Sequence, residues 1–143
     1  MQAVHDFLKA RGIADPKVRI TRILRIDLEG DGEDEVLINA TNYFNQRDEA
    51  PTQAPQRGSY SIVMLRRVSA GKMRTQLIAG EIYSKEDVSN APNIYKIAAV
   101  LDLNGDGKLE VIVHSFYYEG NQTTIYRCEP DKIEPVLSVE CGA

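Results

Sequence analysis

The chain has 143 residues, 43% of them hydrophobic, with 17 basic and 21 acidic residues and a net charge of −4. This length fits one domain whose core needs no disulfide bonds, and the acidic balance argues against nucleic-acid binding, which calls for a basic surface. No apolar run reaches the roughly 18 to 20 residues of a membrane span, and the N-terminus lacks the apolar core of a signal peptide. We therefore expect a single domain over residues 1–143.

The first segment has the pattern of a short helix. Val4, Phe7 and Leu8 recur at helical spacing, and Gly12 follows as a natural C-terminal cap. The pattern predicts a helix over residues 2–11 that covers an edge or face of a sheet.

The rest of the chain is rich in β-forming residues and divides into two internal repeats, about 18–83 and 94–141. Each repeat is predicted to contain two hairpins, with strands at 18–28, 35–43, 60–68 and 73–83, and again at 94–103, 109–118, 123–128 and 133–139. The fold class is therefore mainly β. We predict two blade-like, four-stranded antiparallel sheets, arranged as an incomplete propeller or as a sandwich, with one short N-terminal helix.

The repeats are clearest in two acidic loops. The segment DLEGDGEDEVLI begins at Asp27, and DLNGDGKLEVIV begins at Asp102, a constant offset of 75 positions. We call residues 27–35 loop one and residues 102–110 loop two. The loops hold nine of the 21 acidic residues but only one of the 17 basic residues.

Oxygen-bearing side chains fall at positions one, three, five and nine of each loop, and a backbone carbonyl at position seven adds another oxygen. Ca²⁺ is bound by six to eight oxygens of this kind, and glycines at positions four and six allow the backbone to curl around an ion. The sequence predicts a calcium site in each loop; the alternative is a pair of tight acidic turns without an ion. The candidate ligands are Asp27, Glu29, Asp31, Glu33 (carbonyl) and Glu35, and Asp102, Asn104, Asp106, Lys108 (carbonyl) and Glu110.

An EF-hand is excluded because position twelve, which needs a bidentate Glu, holds Ile38 or Val113. The two loops, each followed by an apolar strand, resemble the FG-GAP and VCBS repeats, the blade units of integrin α-chain-like β-propellers. That resemblance implies calcium bound between two strands of a blade-like sheet. It also implies a noncatalytic module of a secreted or cell-surface protein.

The strand that leaves loop two is apolar on both faces, with Val111 and Val113 on one face and Ile112 and Phe116 on the other. This pattern predicts a sheet that is buried on both sides. His114, which corresponds to Asn39 in the first repeat, is expected to be a hydrogen-bonded sheet residue rather than a catalytic one.

Aromatic residues close both strands that leave the loops: Tyr43 and Phe44 in one repeat, residues 116–118 in the other. They are expected either to cap the core or to form a platform for a protein or carbohydrate ligand. The polar segments 45–59 and 84–93 are the other candidates for recognition, although their composition favours insertions.

Cys128 and Cys141 are expected to be free thiols, because regular pairing of the last hairpin places Cys128 opposite Glu134 or Pro135. The chain shows no nucleophile elbow, HExxH motif or phosphate loop. The two loops and their resemblance to FG-GAP and VCBS repeats imply an extracellular, noncatalytic calcium module that scaffolds or binds a ligand and that could form a homo-oligomer. The alternatives are a metal-dependent hydrolase and a metal-free structural domain of a larger protein.

Overall fold

The computed structural model of the chain describes residues 1–43, 52–87 and 91–142. The helix α1 spans Gln2–Ala10. Eight strands follow: β1 (Ile20–Ile26), β2 (Glu35–Thr41), β3 (Tyr60–Ser69), β4 (Lys72–Ile82), β5 (Ile94–Leu101), β6 (Glu110–Tyr117), β7 (Gly120–Glu129) and β8 (Lys132–Gly142).

The strands form two antiparallel meanders, sheet 1 in the order β1-β2-β3-β4 and sheet 2 in the order β5-β6-β7-β8. This confirms the predicted mainly-β fold with two four-stranded sheets and one short helix. No helix within the described ranges is long and apolar enough to span a membrane.

Element bounds differ from the sequence prediction mainly at the last hairpin. The helix ends one residue early, at Ala10, and Gly12 follows the cap with a φ of 95°. The strands β7 and β8 extend well beyond the predicted 123–128 and 133–139, because backbone pairing continues to Gly120 and Gly142. The polar side chains at these strand ends lack the apolar alternation that predicts a strand. Pairing continues there because it depends on backbone hydrogen bonds rather than on side-chain type.

One face of sheet 1 is covered by α1. The helix buries Val4, Phe7 and Leu8 against this face. The sheet contributes the side chains of Ile38, Ala40, Tyr60, Ile62 and Met64. The buried Tyr60 hydroxyl donates to the Lys17 carbonyl at 2.9 Å and accepts from the Arg19 N–H at 2.8 Å, so its polar atom is satisfied.

The other face of sheet 1 packs on sheet 2. Their shared core contains Leu37, Val63, Leu65, Ile97, Val111 and Val113. Asn39 crosses this interface: its Nδ2 donates to the Tyr95 carbonyl at 2.9 Å, and its Oδ1 accepts from the Ile97 N–H at 3.2 Å. A buried amide with these partners fixes β5 in position over sheet 1.

The two sheets pack against each other through non-equivalent faces. Val111 and Val113 of sheet 2 face sheet 1, but the residues equivalent to them in the first repeat, Val36 and Ile38, face α1. Conversely, Leu37 is buried between the sheets, whereas its equivalent Ile112 lies on the opposite, outer face of sheet 2. The contact therefore joins unlike faces of the two repeats.

The predicted burial of both faces is wrong for sheet 2, which carries the strand that leaves loop two; both faces of sheet 1 are covered instead. On β6, Val111, Val113 and Ser115 are buried, whereas the alternate residues Ile112 and His114 are only half-buried. The physical reason is that α1 covers sheet 1 alone. His114 is confirmed as a hydrogen-bonded sheet residue, with its Nδ1 3.0 Å from Thr123 Oγ1.

Both cysteines are free, as predicted, with Cys128 buried and Cys141 exposed. Cys128 lies opposite Ile133, one or two residues from the predicted partners, and Cys141 lies opposite Asn121. The two sulfurs therefore sit at opposite ends of the last hairpin.

The two thiols should differ sharply in reactivity. Burial raises the pKa of Cys128 to about 12 from the 9.0 of an exposed thiol, and the thiolate is the reactive form. A maleimide reagent should modify one thiol in the folded protein and two in denaturant, as counted by mass spectrometry. Because the pKa of Cys128 is raised in the folded protein, this thiol makes its whole contribution to the free energy of unfolding below pH 9.0. That contribution is lost as the pH rises toward about 12. Rapid modification of both thiols in the native protein would contradict the buried position of Cys128.

Candidate metal centre

The two acidic loops lie side by side. Loop one joins β1 to β2 and loop two joins β5 to β6. The Leu109 N–H donates to the Leu28 carbonyl at 2.8 Å, and a Cβ atom on Gly30 would come within 2.9 Å of the Gly107 carbonyl oxygen. Stacking of the sheets thus brings both candidate sites to one edge of the molecule.

Loop two is closed by the carboxylate of Asp102. Its Oδ1 accepts the N–H groups of Gly105 at 2.7 Å and Asp106 at 3.2 Å, and its Oδ2 accepts that of Gly107 at 2.9 Å. Gly105 and Gly107 have φ values of 77° and 85°, which confirms the predicted positive backbone angles. The loop is therefore a tight turn, in which the side chains of Asn104, Asp106 and Glu110 lie close together.

Three candidate ligands of loop two converge. The Nδ2 atom of Asn104 lies 3.0 Å from Asp106 Oδ2 and 3.4 Å from Glu110 Oε1. Glu110 is 3% exposed, and its other oxygen accepts the Leu103 N–H at 3.0 Å. The amide nitrogen of Asn104 therefore stands between two carboxylates, and the amide oxygen accepts the Asp106 N–H at 2.9 Å.

Loop one repeats the backbone geometry. Asp27 accepts the N–H groups of Gly30 at 2.7 Å, Asp31 at 3.2 Å and Gly32 at 2.8 Å. Glu35 is 5% exposed and accepts the Leu28 N–H at 2.8 Å, as Glu110 does from Leu103 in loop two. The internal repeat found in the sequence is thus a repeat of hydrogen bonds.

Glu29 is where the loops differ. Its Oε1 pairs with Arg67 Nη1 at 2.7 Å, and the Arg67 side chain is only 2% exposed. Arg127 occupies the equivalent position of sheet 2, since Arg66 and Tyr126 pair with the equivalent residues Val36 and Val111. The residue equivalent to Glu29, however, is the neutral Asn104.

Neither of these arginines was anticipated from the sequence. The available signal was their recurrence 60 positions apart in equivalent strands. Arg67 also donates to Gln76 Oε1 at 3.1 Å and to the carbonyls of Cys128 at 3.3 Å and Glu129. It therefore connects loop one to the end of sheet 2.

The loop carboxyls are in contrasting electrostatic surroundings. The N–H of Gly32 is the main cause of a pKa of Asp27 below its usual range, and the N–H of Lys108 has the same effect on the pKa of Asp106. The pKa of Glu35 is instead raised, first by burial and then by the negative charges of Glu29, Asp31 and Asp27. Added positive charge in loop one would therefore stabilise the ionised carboxylate of Glu35.

The remaining loop side chains point elsewhere. Lys108 is exposed and takes part through its backbone, Glu33 is exposed and donates its N–H to Asp31 Oδ1 at 2.9 Å, and Asp34 pairs with Arg25 at 2.8 Å. In the part of the chain that the structure describes, no three side chains of His, Cys, Asp or Glu are grouped so that they could hold a metal ion by themselves. A metal site in loop two would need the amide and carbonyl oxygens as well.

The predicted recognition surfaces are placed in part. Tyr43 is buried and packs edge-on against Tyr83, with ring centroids 6.5 Å apart, whereas Tyr118 is 54% exposed and packs edge-on against Tyr117. Phe44, residues 45–51 of the first polar segment and residues 88–90 of the second fall outside the described residues. Of these four rings, Tyr117 lines a polar groove of about 580 Å³. The groove is also lined by Tyr95, Ser115, Gln122 and Glu140.

Comparison with protein-family models, with curated proteins and with solved structures finds no match to this chain.

Proposed function

We propose that the chain is a noncatalytic calcium-binding β-repeat module of a secreted or cell-surface protein, with a scaffolding role. The observation that carries this proposal is the meeting of Asn104, Asp106 and Glu110 in loop two. Side chains from loop positions three, five and nine meet there at the mouth of a hairpin, with the Asn104 amide nitrogen between the two carboxylates. The resemblance to FG-GAP and VCBS repeats leads us to expect an ion at this place.

The residues of loop two fit a hard cation. Asp102, Asn104, Asp106 and Glu110 would hold the ion through side-chain oxygens, and Lys108 through its carbonyl, a donor set made only of oxygen. The ion would supply positive charge to carboxylates that now face one another across an amide. Glu110 and Asp102 are already fixed by backbone N–H groups, so little ordering is needed.

Loop one is the weaker site in this proposal. Its ligands would be Asp27, Glu29, Asp31 and Glu35, with the Glu33 carbonyl, but Glu29 is held by Arg67. The guanidinium already supplies one positive charge to the loop, and withdrawing Glu29 from it would leave a buried cation without its partner. Loop two should therefore bind calcium more tightly than loop one.

The location of the loops explains how calcium would support a scaffold. Leu28 belongs to loop one and Leu109 to loop two, and their backbone hydrogen bond links the two sheets. Rigid loops at this edge would hold the ends of β1, β2, β5 and β6 together. Extracellular modules bind calcium with dissociation constants of about 10⁻⁴–10⁻³ M and are filled outside cells, where calcium is near millimolar. A site of this affinity would require the extracellular location that we propose.

The noncatalytic part of the proposal is supported by the two histidines. His5 is on α1 beside Asp6, and His114 lies in β6 with its ring nitrogen bound to Thr123, so the two belong to different surfaces. A protein or carbohydrate ligand remains a prediction, and the groove lined by Tyr117 and Glu140 is the place where we expect one.

Calcium should raise the melting temperature of the full chain after treatment with a chelator. With about 10 mM calcium and a dissociation constant of about 10⁻⁴–10⁻³ M, each filled site should add about 1.4–2.7 kcal/mol to the free energy of unfolding. Asp106→Asn should abolish most of this gain, because it removes a charge but keeps an acceptor for the Lys108 N–H. Differential scanning calorimetry with and without calcium measures both effects.

Asp15→Asn is the matched control, since Asp15 is an exposed acid between α1 and β1, at the end of β1 that is opposite to loop one. This variant should respond to calcium as the unmodified chain does. A melting temperature that is insensitive to millimolar calcium would instead favour the metal-free structural domain, in which backbone donors and Arg67 alone offset the loop charges.

A further inference from the structure

The outer face of sheet 2 is an apolar surface. Leu137 and Val139 on β8 are 57% and 64% exposed. They pair across the sheet with Ile125 and Thr123, which pair in turn with Ile112 and His114 on β6. We call the side chains on this face, Ile112, His114, Phe116, Thr123, Ile125, Leu137 and Val139, the open face. Scattered exposed apolar residues are ordinary, but a continuous patch on one sheet is a mark of an interface.

The open face is the counterpart of a face that already packs on a sheet. Leu37 and Leu65 pair in sheet 1 as Ile112 and Ile125 pair in sheet 2. In sheet 1 these two leucines are fully buried against sheet 2. The open face therefore carries the residue pattern that this fold uses for sheet-on-sheet packing.

Two polar side chains of the open face, those of His114 and Thr123, are hydrogen-bonded to each other. The His114 ring also stacks on Phe116 with centroids 5.9 Å apart. The ammonium of Lys96, on the edge strand β5, lies 5.1 Å from the centre of the same Phe116 ring. Covering the face would therefore not leave the histidine ring without a hydrogen bond.

We propose that the open face is covered by the open face of a second copy of this chain, related by a two-fold axis. Head-to-tail addition of another copy is blocked, because the complementary face of sheet 1 lies under α1. Joining two open faces closes the assembly at two copies and leaves a helix over each outer sheet, so that no sheet face remains uncovered. The open face lies on β6, β7 and β8. Three strands spaced by about 4.8 Å and about ten residues long give a face of roughly 500 Å².

That area is sufficient for a specific dimer. Two such faces bury roughly 1,000 Å² in total, the lower limit for a specific interface. A dimer of this size should dissociate on dilution. Sedimentation equilibrium of the full chain over a range of concentrations should therefore show a mass that rises from 16.0 kDa toward twice that value.

Leu137→Asp should remove this association, since it places a charge on the covered face without a partner of opposite charge. Ile23→Asp is the matched control: Ile23 on β1 is also 57% exposed, but it belongs to sheet 1. We expect a monomer at all concentrations for Leu137→Asp and an unchanged monomer–dimer equilibrium for Ile23→Asp. Circular dichroism checks that each variant is folded, and Val139→Lys replaces Leu137→Asp if that variant is not.

Three results would overturn the proposal. They are a monomeric unmodified chain at every concentration, a dimer that persists in the folded open-face variants, and loss of the dimer in Ile23→Asp. The second result would point to another surface, such as the β8 edge. Repeating the sedimentation with a chelator separates the dimer from the calcium proposal, because the open face contains none of the loop ligands.

Discussion

Replacing Arg67 by alanine is expected to lower the free energy of unfolding by roughly 3–5 kcal/mol, since removing one member of a buried ion pair leaves the other uncompensated. Arg67 is 2% exposed in its side chain and its partner Glu29 is 18% exposed. The substitution also leaves the Cys128 and Glu129 carbonyls without this donor. Urea denaturation followed by circular dichroism measures the loss.

The ion pair between Arg25 and Asp34 provides the comparison. Its side chains are 76% and 40% exposed, and Arg25→Ala should change stability by less than about 1 kcal/mol. Equal losses in the two variants would show that the contacts of Arg67 to sheet 2 contribute little.

Gly80→Ala is expected to destabilise the protein by roughly 3 kcal/mol or more. Gly80 has a φ of 146°, and a Cβ atom there would come within 2.5 Å of the Ser61 carbonyl oxygen and 2.7 Å of Ile62 Cα. Both obstacles are backbone atoms of the neighbouring strand, so they cannot turn aside as a side chain would. Thermal melting of the variant tests this expectation.

Gly71→Ala is the control that separates the cost of a positive φ from the cost of a steric clash. Gly71 lies in the β3–β4 turn with a φ of 71° and has no atom within 4 Å of a built Cβ. Gly71→Ala should cost about 1–2 kcal/mol, the penalty for a left-handed residue with a side chain. An equal loss of stability in Gly80→Ala and Gly71→Ala would contradict the close approach of the β3 backbone to Gly80.

The architecture was predictable because its signals are local. The alternation of apolar residues, the turn at Ala70 and Gly71, and the repeat of Asp27 at Asp102 each lie within short segments. They determine two four-stranded meanders without knowledge of how the sheets meet. The backbone pairing that extends β7 and β8 has no such side-chain signal.

The contacts between repeats were not predictable in the same way. Apolar residues alternate on both faces of β6, but whether Ile112 is covered depends on which sheet α1 packs against. The pairing of Glu29 with Arg67 joins positions 38 residues apart. The sequence shows which oxygen-bearing side chains share a loop, whereas the direction of the Glu29 side chain depends on Arg67, which lies in a strand that follows much later.

Isothermal titration calorimetry of the chelator-treated full chain with calcium tests the central claim most directly. The proposal predicts binding in the range of about 10⁻⁴–10⁻³ M, with the tighter site lost in Asp106→Asn and kept in the equivalent loop-one variant Asp31→Asn. Binding that is absent at millimolar calcium, or that survives Asp106→Asn unchanged, would contradict calcium coordination by loop two.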